Sequence, residues 1–355
     1  MRIAILSVSE AGGRLACRLE QELLQKHVVV RYAFARYADP DAQSFEKTGD
    51  LMRDRFHAYD AWICICACGI AVRAVAPYLE SKQTDPAVAV LDETARFVLP
   101  VLSGHVGGAN ALAVRLAQIT GAQAAVTTAT DTGGHFSPDS FAAANNLIVT
   151  NFSAAKEIAV SVLSGEPIGM VSEYPVVNMP SEIGLHNYNF CRTGIYIGTD
   201  PERKPFSVTL QLLPKNIVLG IGCRKGIPAR TIAACAEAVM QAGGIDPRRI
   251  CAVSSIDGKA AEHGLLEYCE TLGVPLLTYS AGELAAAVYP AESAGDGFSA
   301  SAFVKDTVGV DNVCERAAVC GSGGKLILRK HAGDGVTVSA AEKPFMADGE
   351  KNIDW

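Results

Sequence analysis

Ser103-Gly104-His105-Val106-Gly107-Gly108-Ala109-Asn110 stands between an apolar run at 97–102 and a segment at 111–119 whose leucines and isoleucine recur at helical spacing. This pattern predicts a buried strand, a glycine turn and a helix. Glycine lets a backbone approach a ligand closely, and the start of a helix offers free N–H groups to an anion. The stretch therefore predicts a ligand-binding turn of an α/β fold. The alternative is a tight turn with a surface histidine.

The sequence on either side of this turn alternates strand and helix patterns. Predicted strands lie at 3–8, 28–32, 61–66, 88–91, 97–102 and 124–126, with helices at 15–24, 45–56, 70–78 and 111–119. Such alternation is typical of a mainly parallel sheet that is covered on both faces. We expect residues 1–135 to form one α/β domain.

A second series of strands and helices begins after residue 213. Strands are predicted at 217–221, 250–253, 275–278 and 326–328, and helices at 228–241, 264–272, 281–288 and 313–319. Residues 136–213 carry several prolines and predict an irregular, extended middle segment. We therefore expect an α/β protein with two mainly parallel α/β domains, 1–135 and 214–340, joined near 213–216, and a loose tail at 341–355.

Composition narrows the function classes. The chain has 355 residues, 49% hydrophobic and 19% charged, as in globular proteins, and its net charge of -7 argues against a nucleic-acid-binding surface. We find no signal peptide and no run of the ~20 apolar residues that a membrane span needs. The eleven cysteines show no metal-binding spacing. We expect a cytoplasmic protein with reduced thiols, without membrane or nucleic-acid partners.

The second series opens with Gly220-Ile221-Gly222-Cys223-Arg224-Lys225-Gly226. Lys225 stands where the dinucleotide fingerprint needs glycine. Two cations, glycine N–H groups and a helix start nevertheless suit an anion. The alternative is a polar loop with solvated basic residues. Ser254 to Lys259 follows the next strand and brings hydroxyls, a carboxylate and an amine to a strand end, although a helix N-cap would explain one of them.

These motifs together resemble one family. Residues 68–73, 102–110 and 126–131 resemble the amino-terminal part of the cobalamin-biosynthesis protein G (cobalt-precorrin-5A hydrolase) family, and residues 220–226, 254–259 and 306–316 resemble its carboxyl-terminal domain. The resemblance implies that the protein opens the δ-lactone of cobalt-precorrin-5A in anaerobic cobalamin biosynthesis. Acetaldehyde leaves, and cobalt-precorrin-5B is formed. It also implies no cofactor, since the substrate carries the cobalt. Neighbouring corrin-pathway enzymes or a second copy are expected partners.

The roles of individual residues follow from the chemistry of that reaction. Water attack on an ester-like carbonyl needs a proton-transfer group and donors for the oxyanion. His105 fits the first role, and the N–H groups of Gly107 and Gly108 fit the second. We expect the strand at 124–126 to adjoin the His105 strand, so that Asp131 orients His105.

The substrate carries many carboxylates, which we expect in a cleft between the two α/β domains. The candidate binding residues are Arg73, Ser103, Gly104, Gly107, Gly108, Asn110, Gly222, Arg224, Lys225, Ser254, Ser255, Asp257, Lys259, Lys305 and Thr307. Two other functions stay open. One is a protein that only binds the corrinoid, and the other is a nicotinamide-dependent oxidoreductase using 220–226, against which the Lys225 mismatch argues.

Overall fold

Three sheets of five to seven strands follow one another along the chain. They are seen in a computed structural model that describes residues 1–81, 84–128, 135–184, 190–299, 311–351 and 353–355. Parallel pairing predominates in the first two sheets, and the third joins three parallel strands to an antiparallel hairpin. The predicted α/β class with mainly parallel sheets is confirmed. Among the described residues, no helix is long and apolar enough to cross a membrane.

The first sheet has the strand order β3-β2-β1-β4-β5-β6-β7. Its strands are β1 Arg2–Ser7, β2 Val28–Phe34, β3 Gln43–Phe45, β4 Ala61–Ile65, β5 Ala87–Leu91, β6 Phe97–Leu102 and β7 Gln123–Ala124. Its helices are α1 Glu10–Leu23, α2 Thr48–Arg55, α3 Cys68–Val75 and α4 Ala109–Thr120. Every side chain of β4 and β5 is buried, because helices cover both faces, and this explains the unbroken apolar runs of these strands.

The direction of β6 decides where the glycine turn lies. This strand runs antiparallel to β5, with Leu102 beside Val88, so its carboxyl end lies at the edge where β5 begins. The next strand, β7, pairs with β6 in parallel, which confirms that the two strands are neighbours. The chain after β7 therefore leaves the sheet at the same edge as the glycine turn. Helix α3 follows β4 at the opposite edge.

The middle segment is more regular than its prolines indicate. Its strands are β8 Leu147–Val149, β9 Ile168–Ser172, β10 Val176–Val177, β11 Ile183–Gly184, β12 Thr193–Ile197 and β13 Val208–Pro214, with helices α5 Pro138–Ala144 and α6 Phe152–Leu163. Five of these strands form a sheet in the order β11-β9-β12-β13-β8. Prolines such as Pro167, Pro175 and Pro201 stand between strands, so they separate the strands without breaking them.

The third sheet has the order β16-β15-β14-β18-β17. Its strands are β14 Ile217–Cys223, β15 Ile250–Ile256, β16 Leu276–Tyr279, β17 Lys325–Gly333 and β18 Val336–Glu342. Its helices are α7 Ala229–Ala242, α8 His263–Leu272, α9 Ala281–Ala286 and α10 Val313–Ser322. The domain limits drawn from the sequence stay a prediction, because the last residues of the sequence cross from this sheet to the other two.

These last residues, 343–351 and 353–355, are called the C-terminal segment here. Their strand β19, Ala347–Asp348, pairs with β10 in parallel, and Asp348 exchanges two backbone-to-side-chain hydrogen bonds with Asn145. Trp355 is only 5% exposed and belongs to the apolar core of the first sheet. The prediction of a loose tail was wrong, because Trp355, at the end of a short and largely polar sequence, is buried in this core.

Candidate active site

The glycine turn after β6 is wound tightly on itself. Ser103 adopts a positive φ of 55°, and its hydroxyl donates a hydrogen bond to the carbonyl of Asp85 at 2.9 Å. Backbone N–H groups of Ala109 and Asn110 donate to the carbonyls of Ser103 and Gly104 at 3.1 and 3.0 Å. The predicted strand, turn and helix are therefore present, and the turn has a defined shape without a ligand.

The two predicted oxyanion donors differ in their availability. The N–H group of Gly108 donates to the carbonyl of His105 at 3.0 Å, so the turn itself uses it. Among the described residues, the N–H group of Gly107 has no acceptor, although Gly107 is not one of the residues that line the cavity described below. The structure thus retains one of the two predicted donors.

The catalytic residues predicted from sequence can be placed in part. His105 is half-buried in the turn and lines a cavity. Asn110, 8% exposed, donates from Nδ2 to the Thr128 hydroxyl at 2.9 Å, and this bond ties the turn to the chain that follows β7. Asp131, Lys305 and Thr307 lie outside the described residues, and their roles stay predictions.

The cavity has a volume of about 920 Å³. The glycine turn and the outer face of α4, Val126 after β7, the residues before and within α5, and the C-terminal segment surround it, together with Lys26 and Pro180. Its walls comprise Gly104, His105, Asn110, Ala111, Val114, Arg115, Gln118, Val126, His135, Phe136, Ser137, Ser140, Phe141, Ala144, Gly349, Lys351, Ile353, Asp354 and Trp355. This volume is at the upper end of small-molecule sites, which span about 300–1,000 Å³.

The charge of the cavity wall is opposite to that of the whole chain. Lys26, Arg115 and Lys351 line it, and the sole acidic side chain among its described lining residues is that of Asp354. The Lys26 ammonium lies 2.7 Å from that carboxylate and holds the pKa of Asp354 below its usual value. Two cations thus remain without an ion pair in the described part of the chain. A locally positive cavity in a protein of net charge -7 suits a ligand with several carboxylates.

Sequence reasoning missed all of these basic residues. Lys26 precedes β2, Lys351 belongs to the C-terminal segment, and no motif connects them. Arg115 alone carried a signal that could have been used. It lies one helical turn after Ala111 on α4, so a helix that begins at the glycine turn must present both on one face.

The anion site predicted at 220–226 is filled from within the chain. Glu262 accepts a hydrogen bond from the N–H group of Gly226 at 2.7 Å and pairs with the ammonium of Lys259 at 2.9 Å. These two contacts hold the pKa of Glu262 below its usual value. Arg224 and Lys225 are exposed and are not among the residues that line the cavity.

The remaining candidates on the third sheet serve the fold. Ser254 and Ser255 are fully buried, and their hydroxyls donate to the carbonyls of Leu219 and Ile221 on β14 at 3.2 and 2.7 Å. A Cβ atom on Gly222 would lie 2.6 Å from the Thr337 hydroxyl, which donates to the Gly222 carbonyl at 3.2 Å, so a larger residue there would displace Thr337. The hydroxyls of both serines are therefore used within the sheet.

Two further candidates, Asp257 and Arg73, are exposed and do not line the cavity. Asp257 accepts the N–H group of the adjacent Gly258 at 2.7 Å, as in a turn. Arg73 is exposed on α3, at the edge of the first sheet opposite the glycine turn. The structure therefore brings together the candidates of the glycine turn and does not bring those of the third sheet to them. No group of three or more potential metal ligands occurs within the described ranges.

Comparisons with known proteins agree with the two motif groups. The family model "Cobalamin synthesis G N-terminal" matches residues 50–131, and "Cobalamin synthesis G C-terminus" matches residues 217–341. A protein of Salmonella typhimurium named cobalt-precorrin-5A hydrolase is 32% identical over 81% of this chain and 83% of its own length. One of the same name from Priestia megaterium is 28% identical over 96% and 95%. A solved cobalamin biosynthesis protein G homologue from Sulfolobus solfataricus aligns over 96% of both chains, with 24% identity and a TM-score of 0.42.

Proposed function

The chain belongs to the cobalamin synthesis G family, and from this premise we propose that it hydrolyses cobalt-precorrin-5A in the cavity beside His105. It is a hydrolase of cobalamin biosynthesis. The reaction opens the δ-lactone, releases acetaldehyde and yields cobalt-precorrin-5B. We place it in the cytoplasm, where the earlier and later steps on a soluble corrinoid would also occur.

The observation that carries the location of the reaction is the composition of one cavity wall. His105 provides proton transfer at one side, on the turn that also contains Gly107, and Arg115 and Lys351 provide positive charge elsewhere. If a carboxylate of the tetrapyrrole pairs with one of these cations, the substrate is held with its lactone beside the glycine turn. The third sheet offers no comparable combination among its described residues.

The chemistry then needs four proton transfers near this turn. His105 takes a proton from water as the water oxygen bonds to the lactone carbonyl carbon, and the Gly107 N–H group stabilises the oxyanion. The acyl C–O bond breaks, and the departing alkoxide takes a proton to become an alcohol. Loss of the proton from that alcohol forms the acetaldehyde carbonyl, while the carbon–carbon bond breaks and its electron pair passes to the macrocycle, which is then protonated.

These steps transfer protons and no net electrons, so we propose that the protein needs no cofactor of its own, with cobalt belonging to the substrate. Activity that survives dialysis against a chelator would support this. A loss that added metal restores would contradict it. Whether neighbouring pathway enzymes or a second copy associate with the chain stays a prediction, for which the mass in solution with and without substrate is the measurement.

The decisive experiment is incubation of the purified chain with cobalt-precorrin-5A. We expect the corrinoid mass to change to that of cobalt-precorrin-5B and one acetaldehyde to be trapped for each molecule converted. A corrinoid that binds but keeps its mass would identify a binding protein and refute the hydrolase. A reaction that requires NAD or NADP would support the oxidoreductase instead.

A further inference from the structure

Trp355 makes a buried hydrogen bond to the glycine turn. Its indole Nε1–H donates to the carbonyl of Gly108 at 2.8 Å, and the side chain is 5% exposed. The same carbonyl accepts the N–H group of Leu112 at 2.9 Å, which is the first helical bond of α4. The indole is therefore bonded to the atom at which the turn becomes the helix.

The contact between the indole and Gly108 is also close in shape. Gly108 has a φ of +80°, and α4 has no side-chain hydrogen bond at this N-cap. A Cβ atom at Gly108 would lie 2.9 Å from Nε1 of Trp355 and 3.0 Å from Cδ1 of Ile353. Both residues thus pack against bare backbone. Any side chain at this N-cap position would therefore collide with the two residues.

The segment that carries the indole is held in place at several points. Next to the indole, Asp354 pairs with Lys26 at 2.7 Å, and the Trp355 ring lies 6.3 Å from the ring of His27. Further back, Ala347 pairs with Val176 of the middle segment in a separate two-stranded sheet. An indole fixed in this way can determine the position of the backbone to which it is bonded.

We infer that Trp355 is a positioning residue for catalysis: by fixing the Gly108 turn it sets the placement of His105, three residues earlier. The Gly108 N–H group donates to the His105 carbonyl, so a displacement of this turn reaches the backbone of the histidine directly. Misplacement of a catalytic group by about 1 Å can cost on the order of 100-fold in rate. The inference rests on the proposed function, and it concerns a residue that lies 250 positions from His105 in the sequence.

The chain offers a matched control for this test, because it has two tryptophans. Trp62 is fully buried in the same domain, and its indole donates to the carbonyl of Phe56 at 3.0 Å. It belongs to the other apolar core of the first sheet and does not line the cavity. Trp62→Phe and Trp355→Phe therefore each remove one buried indole-to-carbonyl bond while retaining an aromatic ring.

We expect Trp355→Phe to lower kcat for acetaldehyde release by about 10- to 100-fold with KM within about two-fold, and Trp62→Phe to change neither. In single-turnover experiments on His105→Ala, adding Trp355→Phe should lower the rate no further, because the residue acts through His105. A purely structural role predicts equal effects of the two tryptophan variants, and an additive loss in the His105→Ala background. Either result would overturn the inference.

Two outcomes separate this inference from the proposed function. An inactive wild-type chain refutes the function and the inference with it, whereas an active wild type with a normal Trp355→Phe kcat overturns only the inference. If Trp355→Phe does not fold, Gly108→Ala tests the same contact from the other side, since its added methyl would displace the indole. A folded Gly108→Ala variant with wild-type kcat would also overturn the inference.

Discussion

Replacing Arg115 with Ala should weaken substrate binding while leaving the chemical step intact. Arg115 is half-buried on α4 and lines the cavity. In the described part of the chain its guanidinium has no ion-pair partner, whereas the charge of Lys26 is already balanced by Asp354. A guanidinium without an ion-pair partner in the described part of the chain can be used fully by a substrate carboxylate.

The size of the effect follows from this difference. A hydrogen bond to a charged group contributes about 1.5–3 kcal/mol, and each 1.4 kcal/mol corresponds to about tenfold in affinity. Arg115→Ala should therefore raise KM by roughly 10- to 100-fold, with kcat within about two- to three-fold, as expected when binding is lost equally from the ground and transition states. The difference from wild type should shrink in high salt, which screens the charge.

Initial rates of acetaldehyde release across a range of cobalt-precorrin-5A concentrations measure both constants. Arg230→Ala is the control, because Arg230 is an exposed helical arginine of α7 outside the cavity wall. Arg115→Lys should recover part of the affinity, since lysine keeps the charge and loses the two-pronged geometry. If KM of Arg115→Ala stayed within about two-fold of wild type, or if only kcat fell, the substrate carboxylates would not contact this wall.

Three further predictions concern the catalytic group, the cavity charge and the stability of the fold. His105→Ala should lower kcat by about 10²- to 10⁴-fold without restoration by His105→Gln, because an amide cannot titrate near neutral pH; near-normal acetaldehyde release by the folded variant would exclude this role. Asp354→Asn should lower KM by a few-fold, because it removes a carboxylate from the wall and frees Lys26; a higher KM would contradict this. Arg249→Ala should lower the free energy of unfolding by up to about 3–5 kcal/mol, since it leaves half-buried Glu342 without the buried guanidinium 2.7 Å away. Burial favours the neutral acid, but the Arg249 hydrogen bond and charge hold the pKa of Glu342 below its usual value. The pair therefore stabilises the wild-type protein at a pH above the pKa of Glu342 in the unfolded chain. This stabilisation is lost as the pH falls through the pKa of Glu342 in the folded protein. Urea unfolding of both proteins near pH 7 and pH 4 should show a smaller difference at the lower pH, and an equal difference would refute the assignment.

The sequence predicted the glycine turn well because its signal is local. An apolar run, three glycines and a helical repeat follow one another within about twenty residues, and β6 occupies the predicted residues 97–102. The neighbouring strand β7 was also predicted, since consecutive strands tend to pair. Strand direction carries no such local signal. Because β6 runs antiparallel to β5, the glycine turn lies at the edge of the sheet where β5 begins. The alternation of strand and helix patterns does not predict this position.

Polar residues at strand ends were less informative. Ser254 and Ser255 follow an apolar strand, which is typical of binding residues, yet their hydroxyls are satisfied by β14. A serine that bonds to a backbone carbonyl and one that binds a ligand give the same sequence pattern. The loop at 220–226 shows a similar limit of prediction from sequence. Its Gly226 N–H group donates to the carboxylate of Glu262, which lies just before α8 and far from the loop in sequence.

The largest gap between sequence and structure concerns the C-terminal segment, and its physical reason also bears on how the site forms. The segment is bonded through Lys343 to Asn216, just before the third sheet, through Ala347 to Pro175 in the middle segment, and through Trp355 to Gly108 in the glycine turn. Each of these three hydrogen bonds uses backbone or indole groups, so neither a charge pattern nor a hydrophobic periodicity in the sequence predicts them. The cavity wall consequently requires residues from both ends of the sequence, and the local signals of the glycine turn describe only the half of the site that carries the chemistry. The other half of the site, which the C-terminal segment provides with Lys351 and with the Trp355 contact to Gly108, forms only when this segment has packed against the rest of the folded chain.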